Sequence, residues 1–480
     1  MKRRTKIVAT LGPATDQPGV IDGLVRAGVD VVRLNFSHGS PEDHRQRAEA
    51  IRRAASEQGR HVAILGDLQG PKIRIDRFRD GKVHLEEGAD FTLDAELGRD
   101  DGDATRVGIT YKALVTDSRP DDVLLLDDGR VVLRVREVIG QQVRCTVVVG
   151  GDLSNNKGIN RQGGGLSAPA ITEKDREDIR TATQIGVDYV AVSFPRSAHD
   201  IHEARRLLQA EGSRAGIVAK IERAEAVEYI HEIVDASDAI MIARGDLGVE
   251  IGDAELPAVQ KKFIRIARDM NVPVITATQM METMITNPIP TRAEVFDVAN
   301  AVIDGTDAVM LSGETAAGKH PVKVVETMAR ICTRAENQVR DMREDAPLDI
   351  PFERVDQAIA MTAIYAANHL PVKAIIALTE SGATALWMSR VNTRIPIYGL
   401  TSNDDSARRM ALYRGVEALD FVSGTKDHAE VNRMATGALV NRGVLEDGDL
   451  VIITKGDLMG QMGGTNAMKI LRVGGVLAAE

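Results

Sequence analysis

Short apolar runs alternate with longer amphipathic segments in the first part of the chain. The apolar runs cover residues 6–10, 31–37 and 62–67. A helix is predicted to begin after the second run, with Ser40 as its N-cap and Pro41 as its first residue. This repeating order of strand and helix predicts a parallel sheet.

The helical pattern stops between about residues 73 and 166, where valine-rich alternating strands take over. Residues 123–136 predict a hairpin with Asp128 and Gly129 in its turn. The segment therefore predicts a small all-β domain inserted into an α/β domain. Residues 155–160 and three glycines at 163–165 predict a flexible exit from it.

The alternation of strand and helix resumes at Thr172, where Asp175 completes a capping box. Further strands are predicted at residues 189–193, 216–221, 239–243, 273–277 and 308–312. Together with the first three they make eight, which is typical of a (β/α)₈ TIM barrel. A final block of alternating elements predicts an open α/β domain. We place the barrel domain at residues 1–71 and 167–345, the inserted β domain at 72–166, and the C-terminal α/β domain at 346–480.

Composition narrows the class of protein. The chain has 480 residues, a formal net charge of −10 and a sequence pI near 5.6, which argue against a broad nucleic-acid surface. Cys145 and Cys332 lie far apart without metal-ligand spacing, which predicts reduced thiols in a reducing compartment. With no signal-peptide pattern and no apolar run long enough to span a membrane, we expect a cytoplasmic enzyme.

Polar residues follow the predicted barrel strands at their carboxyl ends, where such barrels place active sites. They are Asn35, Asp67, Glu222, Asp246, Thr278 and Ser312. Lys220 and Glu222 are two residues apart on one strand and should face the same side, and Asp246 closes the next strand. Two carboxylates and a lysine suit a hard divalent cation and an anionic substrate. The alternative is a salt-bridged rim of the sheet.

Several motifs give the chain a resemblance to the pyruvate kinase family over essentially its full length. They are Thr5-Lys-Ile-Val-Ala-Thr-Leu-Gly-Pro13, Arg33-Leu-Asn-Phe-Ser-His38, Lys220-Ile-Glu222, Ala243-Arg-Gly-Asp-Leu-Gly248, Thr278-Gln-Met280, Pro290-Thr-Arg-Ala-Glu-Val295 and Leu311-Ser-Gly-Glu-Thr315. The resemblance implies transfer of the phosphoryl group of phosphoenolpyruvate to ADP, giving ATP and pyruvate in the last step of glycolysis. It identifies the three blocks with the family's barrel domain A, β-barrel lid domain B and C-terminal regulatory domain C. It also implies a homotetramer, since the helix after Pro290 lies at a subunit interface in the family.

The resemblance also implies roles for the residues at the barrel mouth. Glu222 and Asp246 would hold Mg²⁺ or Mn²⁺, and Lys220 would neutralise the transferring phosphoryl group and the developing enolate. The amides of Gly245 and Asp246, with Thr278, would cradle the substrate carboxylate. Ser312, with Glu314, is a candidate proton relay.

A second set of implied roles concerns phosphate, nucleotide and monovalent cation. Arg33 would contact phosphate, while Asn35, Ser37 and Asp67 would line a monovalent-cation site. The nucleotide-binding residues would be Arg74, Asn35, His38 and Lys157. The alternatives are a structural role for His38 and an exposed loop position for Lys157.

Lys72 departs from the pattern of many family members, which require K⁺ and carry a glutamate at this position. A tethered ammonium group can supply the positive charge that bound K⁺ otherwise brings, so we expect turnover without added K⁺. The alternative is a solvated lysine at the lid hinge.

Residues 379–384 resemble the family's effector phosphate loop, with Thr379, Ser381, Gly382 and Thr384 as the binding residues. The last loop, residues 456–465, lacks the tryptophan and arginine of fructose-1,6-bisphosphate-responsive members. This predicts activation by a sugar monophosphate or AMP. The alternative is an ordinary helix N-cap loop.

Two other functions remain open at this point. A metal-dependent aldolase or lyase acting on an oxo-acid enolate would use the same carboxylates and lysine, but it would not need the lid, Arg74 or Lys157. A non-catalytic sugar-phosphate sensor would not need Lys220 or Thr278.

Overall fold

A closed barrel of parallel strands forms the centre of the molecule. The computed structural model describes residues 3–338, 352–425, 427–457 and 463–475. Within this part, with strands numbered in chain order, the barrel consists of β1 (Lys6–Leu11), β2 (Val31–Asn35), β3 (Ala63–Asp67), β12 (Tyr189–Val192), β13 (Gly216–Ile221), β14 (Ala239–Ala243), β15 (Val274–Ala277) and β16 (Ala308–Leu311). Pairing of β1 with β16 closes the barrel. The prediction of three barrel strands before the insertion and five after it is confirmed.

Helices surround the barrel and cover the outer face of its strands. They are α1 (Val20–Ala27), α2 (Pro41–Glu57), α4 (Glu173–Ile185), α5 (Ala198–Ala210), α6 (Ala224–Glu228), α7 (Ile230–Ala236), α8 (Arg244–Ile251), α9 (Leu256–Asp269), α10 (Arg292–Asp304), α11 (Gly313–Ala316) and α12 (Pro321–Gln338). Reciprocal capping boxes begin α2, α4 and α10, which confirms the predicted N-cap at Ser40 and the predicted capping box at Thr172. No helix in the described part of the chain is long and apolar enough to cross a membrane.

Alternation along the strands decides which side chains reach the barrel interior. On β13, Val218 belongs to the interior cluster, whereas Ile217 and Ala219 pack outward against the helices. Lys220 and Glu222 continue the inward alternation of Val218 beyond the apolar layer. Both therefore face the mouth of the barrel, as predicted.

The lid is built from strands that pair with one another. Its larger sheet contains β5 (Asp90–Asp94), β6 (Arg106–Gly108), β7 (Val123–Leu126), β8 (Val131–Ile139), β9 (Gln142–Val149) and β11 (Ile159–Arg161). A separate ribbon contains β4 (Lys82–Leu85) and β10 (Gly151–Ser154), and one short helix, α3 (Leu114–Asp117), completes the element list. The predicted hairpin is confirmed as the β7–β8 pair, with Asp127, Asp128 and Gly129 at positive φ in its turn.

The C-terminal domain contains an open sheet with helices on both faces. Its strands are β17 (Val372–Leu378), β18 (Ile397–Thr401), β19 (Val416–Asp420), β20 (Leu450–Gly456) and β21 (Thr465–Arg472), and its helices are α13 (Val355–His369), α14 (Ala383–Ser389), α15 (Asp404–Met410) and α16 (His428–Asn441). The order β19-β18-β17-β20-β21 is parallel except for β21 at one edge. The sequence predicts β17, β18 and β20, whereas β19 and β21 emerge only here. The predicted boundary at residues 345 and 346 lies outside the described residues.

Four aspartates at the amino ends of barrel strands repeat one structural device. Each carboxylate accepts the backbone N–H of a residue in the neighbouring strand, at 2.7–2.9 Å: Asp30 from Ile7, Asp188 from Ile64, Asp238 from Ile217 and Asp307 from Val274. Each also pairs with at least one arginine. For Asp188 and Asp307 an arginine comes from the C-terminal domain, so these two pairs also hold that domain against the barrel.

Candidate active site

Lys220 lies at the centre of a buried cluster at the carboxyl end of the barrel. Its Nζ donates to Ser193 Oγ at 2.7 Å and lies 2.9 Å from Glu222 Oε1 and 3.3 Å from Asp67 Oδ1. Burial favours the neutral amine, but Asp67 and Glu222 outweigh it and raise the pKa of Lys220. The ammonium group therefore keeps its charge in a low-dielectric position facing the barrel mouth.

Arg33 supplies a second cation beside Lys220. Its Nε donates to Asp67 Oδ2 at 2.6 Å, and its Nη1 donates to Thr10 Oγ1 at 3.2 Å. Burial alone would raise the pKa of Asp67, but Arg33 and Lys220 outweigh that effect and hold it below its ordinary value. Asp67 is therefore an anion that orients both cations.

Glu222 and Asp246 are acids whose charges are not fully compensated. Burial, together with Asp246, raises the pKa of Glu222 to about 7 despite Lys220. Glu222 Oε2 also accepts the backbone N–H of Phe194 at 2.8 Å. The pKa of Asp246 is raised mainly by burial, with Lys220 opposing. Asp246 differs from the prediction in one respect, because it lies in the first turn of α8 and not at the end of a strand.

This pair of acids fits a divalent cation that takes its remaining ligands from elsewhere. A bound cation would compensate the buried Glu222 and the partly buried Asp246, because burial and neighbouring charge raise the pKa of each and so disfavour their negative charge. The described residues contain no group of three or more His, Cys, Asp or Glu side chains placed to hold a metal. Mg²⁺ characteristically binds one or two protein carboxylates together with substrate phosphate oxygens and water, so two acids suffice.

Thr278 lies next to the start of α8. Its Oγ1 accepts the backbone N–H of Gly245 at 2.8 Å and donates to Ala277 O at 2.7 Å. Thr278 has φ 65°, an uncommon value for a β-branched residue. The Arg244 guanidinium holds this conformation by donating to Thr278 O at 2.6 Å and to Ala277 O at 3.2 Å. The amide and hydroxyl predicted to bind the substrate carboxylate are thus adjacent.

Ser312 and Glu314 lie at the end of β16. The Glu314 carboxylate accepts the backbone N–H groups of Ser312 at 2.7 Å and Met281 at 3.2 Å. Among the described residues, no hydrogen bond joins the Ser312 hydroxyl to this carboxylate. Glu314 therefore stabilises the loop, and the relay remains a prediction.

A cavity of about 300 Å³ separates the barrel mouth from the lid. Of the predicted residues, its lining includes Ser37, Lys72, Arg74, Lys157 and Asp246. The structure thus brings Arg74 and Lys157 of the lid over Asp246 of the barrel. It also adds acids that sequence reasoning missed, namely Asp127, Asp128 and Glu250.

The three lid cations in the lining of this cavity differ in whether their side chains have a hydrogen-bond or ion-pair partner. Lys157 Nζ lies 2.7 Å from Asp127 Oδ1, and Arg74 Nη1 donates to Asn156 O at 2.8 Å. Lys72 is exposed, and its side chain has no hydrogen-bond or ion-pair partner in the described ranges. Partial burial, followed by the charges of Arg74 and Lys174, lowers its pKa. Within the described residues, Lys72 is therefore an unpaired cation beside other cations.

The remaining predicted residues of β2 lie at different depths. Asn35 is opposite Asp67 in the neighbouring strand, and its Oδ1 accepts the backbone N–H of Ser37 at 3.1 Å. His38 is exposed and does not line the cavity. Ser193, which contacts Lys220, was not among the predicted site residues. Its position at the carboxyl end of the predicted strand 189–193 could have indicated it.

A second cavity, of about 410 Å³, lies in the C-terminal domain. Thr379, Ser381 and Thr384 line it, and the adjacent Gly382 has φ 82° and donates its N–H to Thr379 Oγ1 at 3.0 Å. Sequence reasoning missed Lys455 at the end of β20, which also lines this cavity. Its ammonium group donates to Asn432 Oδ1 at 2.9 Å and to His428 O at 3.1 Å.

Comparison with known proteins agrees with this arrangement. The family model described as pyruvate kinase, barrel domain, matches residues 2–325, and the model described as pyruvate kinase, alpha/beta domain, matches residues 357–471. The chain is 57% identical to pyruvate kinase II of Salmonella typhimurium over 475 residues, covering 98% of this chain and 99% of the relative. It is 54% identical to the pyruvate kinase of Haemophilus influenzae, covering 95% and 96%. It is 43% identical to that of Mycobacterium tuberculosis, covering 99% of both chains.

Fold, cluster and relatives together define a (β/α)₈-barrel phosphotransferase. The chain belongs to the pyruvate kinase family, in its bacterial form. Phosphoenolpyruvate and ADP are the substrates of this activity, and use of Mg²⁺ and tetramer formation are general traits of the family.

Proposed function

We propose that this chain transfers the phosphoryl group of phosphoenolpyruvate to ADP at the Lys220 cluster, with Mg²⁺ or Mn²⁺ held by Glu222 and Asp246. The observation that carries the proposal is Lys220, whose side chain is only 12% exposed and is kept charged between Asp67 and Glu222. Phosphoryl transfer depends mainly on positioning and charge neutralisation, so a preorganised buried cation is the group it requires.

In this proposal, some residues of the cluster neutralise charge and others bind the substrate. Arg33 and Lys220 are both oriented by Asp67, and they would face the phosphoryl group from the barrel side. The metal, when bound, would neutralise negative charge on substrate oxygens. Gly245, Asp246 and Thr278 would bind the substrate carboxylate through amides and a hydroxyl. Thr278 and Ser312 would lie on the route of the proton to the enolate.

The lid would bind the nucleotide over this cluster. Arg74 and Lys157 line the cavity that faces Asp246, and cations there suit the phosphates of ADP. Asn35 and His38 are further nucleotide-binding candidates on the barrel side. Closing the lid would exclude water from the transferring group.

A coupled assay tests the reaction and separates the competing functions. Pyruvate and ATP should form together from phosphoenolpyruvate and ADP, and chelation of divalent cations should abolish both. Pyruvate formation that does not require ADP would instead support an aldolase or lyase. Binding of sugar phosphate without turnover would support a sensor.

We further propose that turnover does not require K⁺. The support is Lys72, an exposed cation near Ser37 with no partner in the described residues. Activity should persist in a K⁺-free buffer balanced with tetramethylammonium, and Lys72→Glu should make it depend on KCl. Lys112→Glu, at an exposed lid position outside the cavity, is the matched control. Wild-type activity that recovers only with KCl would refute the proposal.

We also propose that a sugar monophosphate or AMP activates the enzyme through the cavity lined by Thr379, Ser381 and Thr384. Glucose 6-phosphate, ribose 5-phosphate and AMP should be compared for their effect on phosphoenolpyruvate saturation. Ser381→Asp should remove the response, because a carboxylate repels a bound phosphate. Ser56→Asp, on the exposed face of α2, should retain it, and an unchanged saturation curve for all three effectors would contradict activation.

A homotetramer and the domain division given above remain part of the proposal. The support for assembly is the apolar surface around α10, where Phe296 is 69% exposed and Ile289 is 67% exposed. Light scattering should give four times the chain mass of 51.9 kDa. Phe296→Glu should lower that mass.

A further inference from the structure

A third cavity lies at the opposite end of the barrel from the Lys220 cluster. It has a volume of about 260 Å³ and opens beside Gly216, at the start of β13. The barrel contributes Arg205, Arg214 and Asp238, and helix α15 of the C-terminal domain contributes Arg409. Three arginines therefore surround a small cavity that contains one carboxylate.

The single acid is already engaged. Asp238 Oδ2 accepts the backbone N–H of Ile217 at 2.7 Å and lies 2.9 Å from Arg205 Nη2. Arg205 also donates to Ala236 O at 2.8 Å. Asp238 and Arg205 thus satisfy each other, and no negative charge in the lining is left for the other two arginines.

Arg214 and Arg409 have guanidinium groups without a hydrogen-bond or ion-pair partner in the described part of the chain. Arg409 is partly buried, and its charge lowers the pKa of the neighbouring Tyr189 against the larger effect of burial. Its backbone is fixed, because Arg409 O accepts the Tyr189 hydroxyl at 2.9 Å. A partly desolvated guanidinium that lacks an acceptor gains most from a bound anion.

From this arrangement we infer that the cavity is a binding site for a small phosphate-bearing dianion, held by Arg214 and Arg409. Phosphate offers oxygens in several directions and matches the paired N–H groups of arginine. The volume accommodates inorganic phosphate or the head of a phosphomonoester. The site differs in place and composition from the Lys220 cluster and from the Ser381 cavity.

An anion in this cavity would link the barrel to the C-terminal domain, at a position that is in contact with elements of both other sites. Helix α15 also contacts the Ser381 cavity, because Ser406 Oγ donates to Glu380 O at 2.6 Å. At its other side the anion would lie at the start of β13, the strand that carries Lys220. The ligand would therefore reinforce one interface between these two regions.

Hydrogen–deuterium exchange of the full chain tests the site locally, since phosphate also binds elsewhere in a kinase. Inorganic phosphate and glycerol 3-phosphate, titrated at constant ionic strength, should protect peptides covering residues 205–217 and 404–413. Protection by one probe alone would identify the source of the phosphate group. Protection by neither would overturn the inference.

Substitutions complete the test. Arg214→Gln and Arg409→Gln should each raise the probe concentration for half-maximal protection about tenfold, as expected for loss of one charged hydrogen-bonding group. Arg206→Gln, on the exposed face of the same helix as Arg205, should leave it unchanged. Arg409→Lys retains the charge and should lose less than Arg409→Gln. Protection that survives both glutamine variants at wild-type concentrations would place the anion elsewhere and refute the site.

Discussion

At the amino end of the barrel the aspartates pair with arginines, whereas at the carboxyl end Glu222 and Asp246 lie near each other and Lys220 compensates them only in part. Arg3, Lys6 and Arg60 outweigh the burial of Asp30 and lower its pKa. By contrast, burial and a neighbouring acid raise the pKa of Glu222 to about 7. The four aspartates at the amino end are therefore compensated by arginines of the chain itself, and these pairs hold the fold together. At the carboxyl end compensation of charge within the chain is incomplete, so a bound metal and a substrate can complete it.

The largest expected effect is on catalysis at the carboxyl end, when Lys220 is removed. Lys220→Met should lower kcat by about 10³-fold or more, because it removes a preorganised charge from the transferring group. Steady-state pyruvate formation measures it. Lys323→Met, at an exposed position on α12, should stay within about twofold of wild type on the scale of ordinary surface substitutions. A Lys220→Met rate within tenfold of wild type would contradict the assigned role.

The amino end should respond in stability and not in catalysis. Asp307→Asn leaves the buried Arg390 without its carboxylate and should cost about 3 kcal/mol of unfolding free energy. Urea unfolding measures the loss, and kcat at low temperature should remain close to wild type. The control is Asp420→Asn, whose carboxylate is 71% exposed beside His61. Equal losses in the two variants would contradict the distinction between buried and exposed pairs.

Glu250 gives a smaller effect that depends on pH. Burial raises its pKa from 4.5 to about 7, so the folded state binds its proton more tightly than the unfolded state does. The stability from this proton is complete below pH 4.5 and is lost as the pH rises through 7. Glu250→Gln should therefore gain stability relative to wild type, and the gain should be about 2 kcal/mol larger at pH 8 than at pH 5. Unfolding at both pH values, with Glu228→Gln as an exposed control, measures this gain, and a pH-independent difference would contradict it.

The smallest expected effect is at Asp238, which repeats the device of Asp307 in a more open setting. Its side chain is 39% exposed, and an asparagine oxygen can still accept the N–H of Ile217. Asp238→Asn should therefore cost less than about 1 kcal/mol, the usual limit for an exposed ion pair. Urea unfolding of both variants under the same conditions measures the two losses of stability. If Asp238→Asn lost as much as Asp307→Asn, burial would not explain the difference between the two sites.

The barrel could be predicted because its strands are apolar runs that end in polar residues. The position of Asp246 could not, because Gly245 and Gly248 are poor helix formers and indicate a loop. The start of α8 is held instead by contacts distant in sequence, from Arg244 to the carbonyls of Ala277 and Thr278. Such contacts leave no local pattern to detect.

The amino-end aspartates were missed although the sequence carries a signal for them. Gly28-Val-Asp30, Gly186-Val-Asp188 and Gly305-Thr-Asp307 each place an aspartate just before a barrel strand. A prediction that considers only the residues after each strand does not include these aspartates, because they precede the strands. Strands β19 and β21 were missed for another reason, since both lie at sheet edges, where only one neighbour and a partial apolar face mark a strand.

The insertion of the lid between β3 and β12 has a consequence for the order in which the chain folds. Every strand of the lid pairs within residues 82–161, whereas β1 must wait for β16, about 300 residues later, before the barrel closes. Contacts between distant residues form slowly, because a long loop must first be closed. During synthesis, the lid can therefore complete its own core while the barrel emerging around it is still an open sheet with two unpaired edges.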